Sequence, residues 1–161
     1  MKSTIIREVL EKDNTALAAV IRRVLVDIGV PKIGTAYADP ELDYIHKTYL
    51  KEKAAYYVLE EKDIIIGGAG IAPLEGGEPT VCELQKMYFL EEARGKGLGE
   101  KMIDHCLDFA RKAGFELCYI ETLPYMKAAQ KLYIKKGFEY IDGPMGTTGH
   151  TSCNVWLTKR L

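Results

Sequence analysis

The chain has 161 residues, 47% hydrophobic and 28% charged, the balance of an ordinary globular protein with enough chain to bury a core, so a single domain over residues 1–161 is expected. Its 22 basic and 23 acidic side chains leave a formal charge of −1, which gives no support to nucleic acid or an anionic membrane as the main partner. The opening Met-Lys-Ser-Thr-Ile-Ile-Arg-Glu is too short and too charged for a secretory leader, and no apolar run reaches a membrane span; a cytoplasmic protein is expected.

In chain order, the β-branched stretch Thr4 to Val9 predicts a first strand. Asp13 is placed to cap a helix whose inward face carries Ala16, Leu17, Val20, Ile21, Val24, Leu25 and Ile28, ended by Gly29 and Pro31. Residues 32–38 predict a loop, and Asp39-Pro40 a second helix with Leu42, Ile45, Tyr49 and Leu50 inward. Two strands, Ala55 to Leu59 and Ile64 to Ala72, flank the turn Glu60–Asp63. Gly67-Gly68 in the second marks a bulge or a close backbone approach. After a turn-rich connection, Val81 to Leu90 predicts the strand that runs toward Gly95, Gly97 and Gly99.

The following helix presents Met102, Ile103, Cys106, Leu107 and Ala110 and stops at Gly114. A strand over Phe115 to Glu121 comes next. Pro124 then opens a helix with Ala128, Ala129, Leu132 and Tyr133, closed by Gly137. Phe138 to Ile141 and Ser152 to Thr158 predict the last strands. The order β-α-α-β-β-β-α-β-α-β-β, with a hairpin near residue 60 and a strand–helix–strand unit over 83–121, predicts a mixed sheet with helices on its faces. Cys82, Cys106, Cys118 and Cys153 form no Cys-x-x-Cys pair. With only three histidines, at 46, 105 and 150, no metal-ligand spacing appears; free thiols and no metal are expected.

The stretch from Glu83 to Gly99 carries the chemistry. Arg94-Gly-Lys-Gly-Leu-Gly99 sits between a strand and a helix, where glycines admit a close anion and the first helical N–H groups point at it. On its own the turn also suits an ordinary tight connection. It is neither a Walker loop nor a Gly-x-Gly-x-x-Gly fingerprint. Arg-x-x-Gly-x-Gly, at Arg94, Gly97 and Gly99, resembles the pyrophosphate loop of the GNAT superfamily of N-acetyltransferases. Downstream, Ala128-Ala-Gln-Lys-Leu-Tyr-Ile-Lys-Lys-Gly-Phe138 resembles the superfamily's second signature, whose tyrosine reaches toward the coenzyme sulfur. The pattern departs at Met126, seven residues before Tyr133, where the family often has asparagine; no polar coenzyme contact is carried to that position.

The resemblance implies the GNAT fold: α/β (α+β), a mixed, mostly antiparallel central sheet with one parallel splayed strand pair and helices on both faces. It implies acetyl-CoA as co-substrate, with main-chain pairing of the pantetheine arm at Met87, Tyr88 and Phe89. The pyrophosphate falls to Arg94, Gly95, Lys96, Gly97, Leu98 and Gly99. Glu83 is the candidate base for the acceptor amine, and Tyr133 the candidate acid for the departing thiolate. Glu83 as a plain strand-end carboxylate and Tyr133 as a core residue remain open. His150 reads as a surface or packed histidine, and Cys153 as core. The tract from Gly34 to Asp39 falls where superfamily members build the acceptor pocket. The expected partner is an amine of a small molecule or protein, not nucleic acid or membrane, with a homodimer left open. A non-catalytic acyl-CoA-binding module of the same fold is the alternative.

Overall fold

A computed structural model describes residues 4–161; residues 1–3, part of the stretch read above against a leader, lie outside the described residues. The strands are β1 (Thr4–Glu8), β2 (Ala55–Glu61), β3 (Ile64–Pro73), β4 (Val81–Phe89), β5 (Leu117–Thr122), β6 (Glu139–Ile141) and β7 (Val155–Arg160). The helices are α1 (Asn14–Asp27), α2 (Ile45–Thr48), α3 (Leu98–Lys112) and α4 (Lys127–Lys135). All strands join one sheet in the order β1-β2-β3-β4-β5-β7-β6. Neighbours run antiparallel except β4 and β5. That parallel pair is short: Val81, Cys82 and Glu83 face Leu117, Cys118 and Tyr119, and pairing then stops. Beyond Glu83 the two strands part, leaving a gap inside the sheet.

The period-3.6 stripes read from the sequence face the sheet from both sides, except that Ala16 is exposed and Ala18 is buried instead. Leu17, Ile21 and Leu25 of α1, with Leu42 and Ile45, pack on Tyr56 and Val58 of β2. Met102, Ile103 and Cys106 of α3, with Tyr133 of α4, pack on Leu59, Ile71 and Leu84 across the other face. Each such side chain contributes about 1.5–3 kcal/mol by leaving water. The core therefore lies in two layers, and the gap between β4 and β5 opens between them. Cys82, Cys106 and Cys118 are buried, Cys153 is half-buried, and all four are free thiols.

Several boundaries differ from the sequence reading for local reasons. Asp13 directs its carboxylate backward rather than capping α1: it accepts from the Leu10 amide at 2.7 Å and from Arg7 at 2.8 and 3.0 Å. The segment opened by Pro40 winds as a 3-10 turn through Tyr44 before α2; Leu42, Ile45 and Tyr49 point inward while Leu50 is exposed. Helix α4 begins at Lys127 rather than Pro124, because Gln130 folds back and donates to the Leu123 and Pro124 carbonyls, at 2.9 and 3.2 Å. Those bonds hold residues 123–126 in a turn.

Candidate active site

The strand–turn–helix from β4 into α3 forms one wall of a cleft of about 480 Å³. Gly95 and Gly97 both have φ of +74°, the left-handed region that a side chain resists. A Cβ at either would meet nothing within 4 Å, so backbone conformation and open space, not crowding, explain these glycines. Gly99 differs. A Cβ there would lie 2.8 Å from Leu132 Cδ2, so the third glycine lets α3 pass close to α4. Arg94 donates Nε and Nη2 to the Phe89 carbonyl at 3.3 and 3.0 Å, tying the turn to its strand with other N–H groups to spare.

Of the nine residues expected to hold coenzyme, Met87, Tyr88, Phe89, Arg94, Gly95, Gly97, Leu98 and Gly99 line this cleft. Lys96 does not. Its Nζ lies 3.9 Å from Glu61, over a separate depression. The opposite wall is α4 with its preceding turn, including Met126, Ala129 and Tyr133, and Val24 of α1 and Ile28 just after it also line the cleft. Met126 is turned toward apolar neighbours, and its sulfur accepts from Thr122 Oγ1 at 3.3 Å, so the position usually held by asparagine presents no amide here. Tyr133 is buried against Phe138, and its hydroxyl makes no hydrogen bond among the described residues. Burial pushes that phenol above its ordinary value.

A bulge in β4 decides which side chains face which layer. The pairing with β3 shifts between Gly68 and Gly70, opposite Tyr88 and Gln85, and Lys86 takes φ of +50°. Strict alternation would put Glu83, Gln85, Met87 and Phe89 on one face. The extra residue breaks that register: Met87 and Phe89 join the α3 layer, while Lys86 and Tyr88 turn toward α1 and α2. Gly68 and Gly70 make this possible, because a Cβ at either would lie 2.6 Å from the Tyr56 ring. Lying across those glycines, Tyr56 donates its hydroxyl to the Lys86 carbonyl at 2.7 Å.

On the α1–α2 side lies a polar cluster built from separate segments. Glu83 is 4% exposed. Gln85 Nε2 donates to its Oε1 at 2.7 Å, and the Tyr49 hydroxyl donates to Gln85 Oε1 at 2.6 Å, fixing the amide. Burial pushes the Glu83 carboxyl up to about 7; the Gln85 bond opposes this, Glu121 adds to it, and His150 and Lys86 oppose it. His150 Nε2 lies 2.8 Å from Asp39 and Nδ1 3.1 Å from Glu121. Burial pulls that imidazole down, but the two carboxylates outweigh it and push it up to about 10. The buried Lys86 ammonium lies 3.6 Å from Asp39 and 3.9 Å from Glu41.

Sequence reasoning missed most of these groups. Asp39 belongs to the tract expected at the acceptor pocket, and Gln85 follows Glu83 at strand period two, which was a usable signal. Glu121 and Lys86 carry no local mark, and helical spacing marks Tyr49 only as inward-facing.

A family model of the acetyltransferase (GNAT) family matches residues 22–138. The chain belongs to this family. It is 44% identical over 161 residues to the uncharacterized N-acetyltransferase YjgM of Escherichia coli (strain K12), covering 99% of this chain and 96% of that one. Among solved structures, a GNAT-family acetyltransferase from Staphylococcus aureus Mu50 superposes with a TM-score of 0.88 at 21% identity over 99% of both chains. The structure of yncA from Salmonella typhimurium, with its cofactor acetyl-CoA, gives 0.76 at 18% identity over 99% of this chain and 94% of that one. The two layers, the single parallel pair and its gap are thus the GNAT fold, and the chain is a GNAT N-acetyltransferase. The acetyltransferase has Tyr133 in the cleft, but Glu83 lies outside the cleft's lining, at the vertex where β4 and β5 separate.

Proposed function

We propose that this acetyltransferase moves the acetyl group of acetyl-CoA directly to a primary amine, with Glu83 as the ultimate proton acceptor and Tyr133 as the donor to the departing thiolate. One observation carries the reading: a single cleft joins a left-handed glycine turn at a helix start, a strand edge that β5 has left, and a buried phenol with no hydrogen bond among the described residues. The turn suits a pyrophosphate, since the first N–H groups of α3 and the helix dipole favour negative charge there. The edge of β4 from Leu84 onward has lost β5, so an extended amide-bearing arm such as pantetheine can pair with its main chain near Met87. A main-chain N–H on that edge is also suited to the oxyanion of the tetrahedral intermediate.

The balance of the step is simple. The amine nitrogen forms a bond to the acetyl carbon and the carbon–sulfur bond breaks; the ammonium's first proton goes to Glu83, the thiolate takes a proton from Tyr133, and the second proton shed by the acylated nitrogen restores the Tyr133 phenol through solvent. A carboxyl poised near neutrality suits an acceptor amine that is mostly protonated at that pH. Because Glu83 is outside the cleft's lining, its proton arrives through water or through neighbouring side chains, of which Tyr88 both lines the cleft and lies within electrostatic reach of Glu83. The acceptor is an amine of a small molecule or an exposed protein amine.

The test is titration calorimetry of the protein with CoA and acetyl-CoA, followed by free-thiol release across a panel of amines. Saturable binding with acceptor-dependent thiol release is expected. Absence of coenzyme binding refutes the reading.

A further inference from the structure

We propose that His150 is a positioning residue of the transfer site: a fixed cation, engaged at both ring nitrogens, that clasps three chain segments around the vertex of the sheet gap and neutralises the carboxylate of Glu121 beside Glu83. The inference rests on the reading of Glu83 as proton acceptor only for its catalytic consequence; the clasp itself stands on geometry.

A neutral imidazole has one N–H and one lone pair, so it can donate to one carboxylate only. Here carboxylate oxygens sit at 2.8 Å from Nε2 and 3.1 Å from Nδ1. Only the doubly protonated ring satisfies both. His150 therefore has no lone pair to offer and is not a base. Glu121 is equally committed: Oε1 takes His150 and the Thr148 hydroxyl, and Oε2 takes the Tyr119 hydroxyl at 3.0 Å. Of the carboxyls in this cluster, Glu83 is the one held by a single neutral donor, the Gln85 amide.

The clasp also joins distant chain. Asp39 precedes the 3-10 turn after α1, Glu121 is on β5, and His150 is in the connection between β6 and β7. That connection is pinned elsewhere by Ser152, whose amide donates to the Gly34 carbonyl and whose hydroxyl donates to the Ile33 carbonyl, both at 3.0 Å, and by the Thr147 amide on the Glu75 carbonyl at 2.7 Å. These bonds hold the loop. The Thr148 hydroxyl and His150 both tie it to Glu121 beside Glu83, and His150 also reaches Asp39.

The groups facing Glu83 can be named from each element. Glu121 and Tyr119 come from β5, His150 and Cys153 from the β6–β7 connection, Gln85, Lys86 and Tyr88 from β4, and Tyr49 from the end of α2; Asp39 and Glu41 stand behind Lys86. Without the imidazolium, Glu121 and Asp39 would lose their shared counter-charge and Lys86 would be the remaining cation. Glu83 would then hold its proton to higher pH. Removing that charge, which acts electrostatically on Glu83, shifts the titration by about one pH unit at an effective dielectric near 20.

The decisive experiment needs no acceptor. Nitrogen NMR of the full chain is expected to show both His150 ring nitrogens protonated at pH 8, and carbon NMR follows the Glu83 carboxyl, assigned by its loss in Glu83→Gln. His150→Gln is expected to move the Glu83 midpoint up by about one pH unit, and Glu121→Gln to move it down by a similar amount. Opposite signs from two substitutions in one cluster distinguish charge coupling from general loosening. A singly protonated His150 at pH 8, or a Glu83 midpoint that moves the same way in both variants or in neither, overturns the proposal. Full thiol release by Glu83→Gln alongside the expected opposite shifts would instead overturn the role of Glu83 as base and leave the coupling intact.

Discussion

Replacing Glu83 by glutamine tests the proposed base in two independent ways, because the carboxyl that titrates near 7 affects both turnover and folding. If Glu83 must be ionised to accept the amine's proton, kcat/KM for the wild-type chain rises with a midpoint at about pH 7 and falls about tenfold for each pH unit below it. Glu83→Gln is expected to lose this limb and to lie roughly 100-fold below the wild-type plateau, the low end of what a positioned base supplies. The stability signature has a definite sign. Raised from an ordinary 4.5 to about 7, the carboxyl is protonated in the folded chain and ionised in the unfolded one between those values. Stability attributable to it is therefore full below 4.5, declines as pH rises through the window, and is lost above 7. At about 1.4 kcal/mol per pH unit the interval corresponds to about 3 kcal/mol. Urea unfolding of both proteins from pH 4 to 8 reads this directly: the wild type should lose that increment relative to Glu83→Gln. Identical pH dependence of stability would refute the buried, proton-holding carboxyl, and wild-type turnover with an unchanged acid limb would refute its role as base.

Tyr133→Phe keeps the ring against Phe138 and removes only the hydroxyl, so kcat should fall roughly tenfold or more while acetyl-CoA affinity by calorimetry holds within about twofold. Gly97→Ala meets no neighbouring atom, so its cost is the left-handed backbone alone, about 1–2 kcal/mol, seen as a melting temperature lower by a few degrees together with weaker CoA binding. Asp13→Ala would strand the Leu10 amide and leave the Arg7 guanidinium to Glu60 and the Glu8 carbonyl, destabilising the fold by about 1–2 kcal/mol in chemical denaturation without changing coenzyme affinity.

What was legible in the sequence was local. The glycine turn, Tyr133 and the apolar stripes of α1 and α3 each lie within a few residues of chain, where backbone conformation and helical period leave a direct mark. Glu83 was legible as a residue but not as an environment: its burial depends on Tyr49, Gln85 and Glu121, brought together only by the sheet. His150 shows the limit most clearly. Nothing near it in the sequence identifies Asp39 or Glu121 as its partners, and a histidine in a glycine-rich loop reads as surface. The bulge at Lys86 was half visible. Gly67-Gly68 signalled a close approach on β3, but the inserted residue lies on β4, and its effect on which side chains face the α1–α2 layer could not be counted from alternation. The start of α4 was misplaced by Pro124 because Gln130, a polar residue inside the helix, holds the preceding turn.

The three residue pairs joining β4 to β5 have a mechanical meaning as well. A sheet resists bending because its hydrogen-bond ladder is continuous from edge to edge, and here that continuity narrows to Val81–Glu83 against Leu117–Tyr119. On one side lie β1 to β4, on the other β5, β7 and β6. Compliance is thereby concentrated at a single seam, with Glu83 at its open end. An extended molecule laid along the free edge of β4 would act as a brace across that seam, so occupancy of the cleft and stiffness of the sheet become one variable.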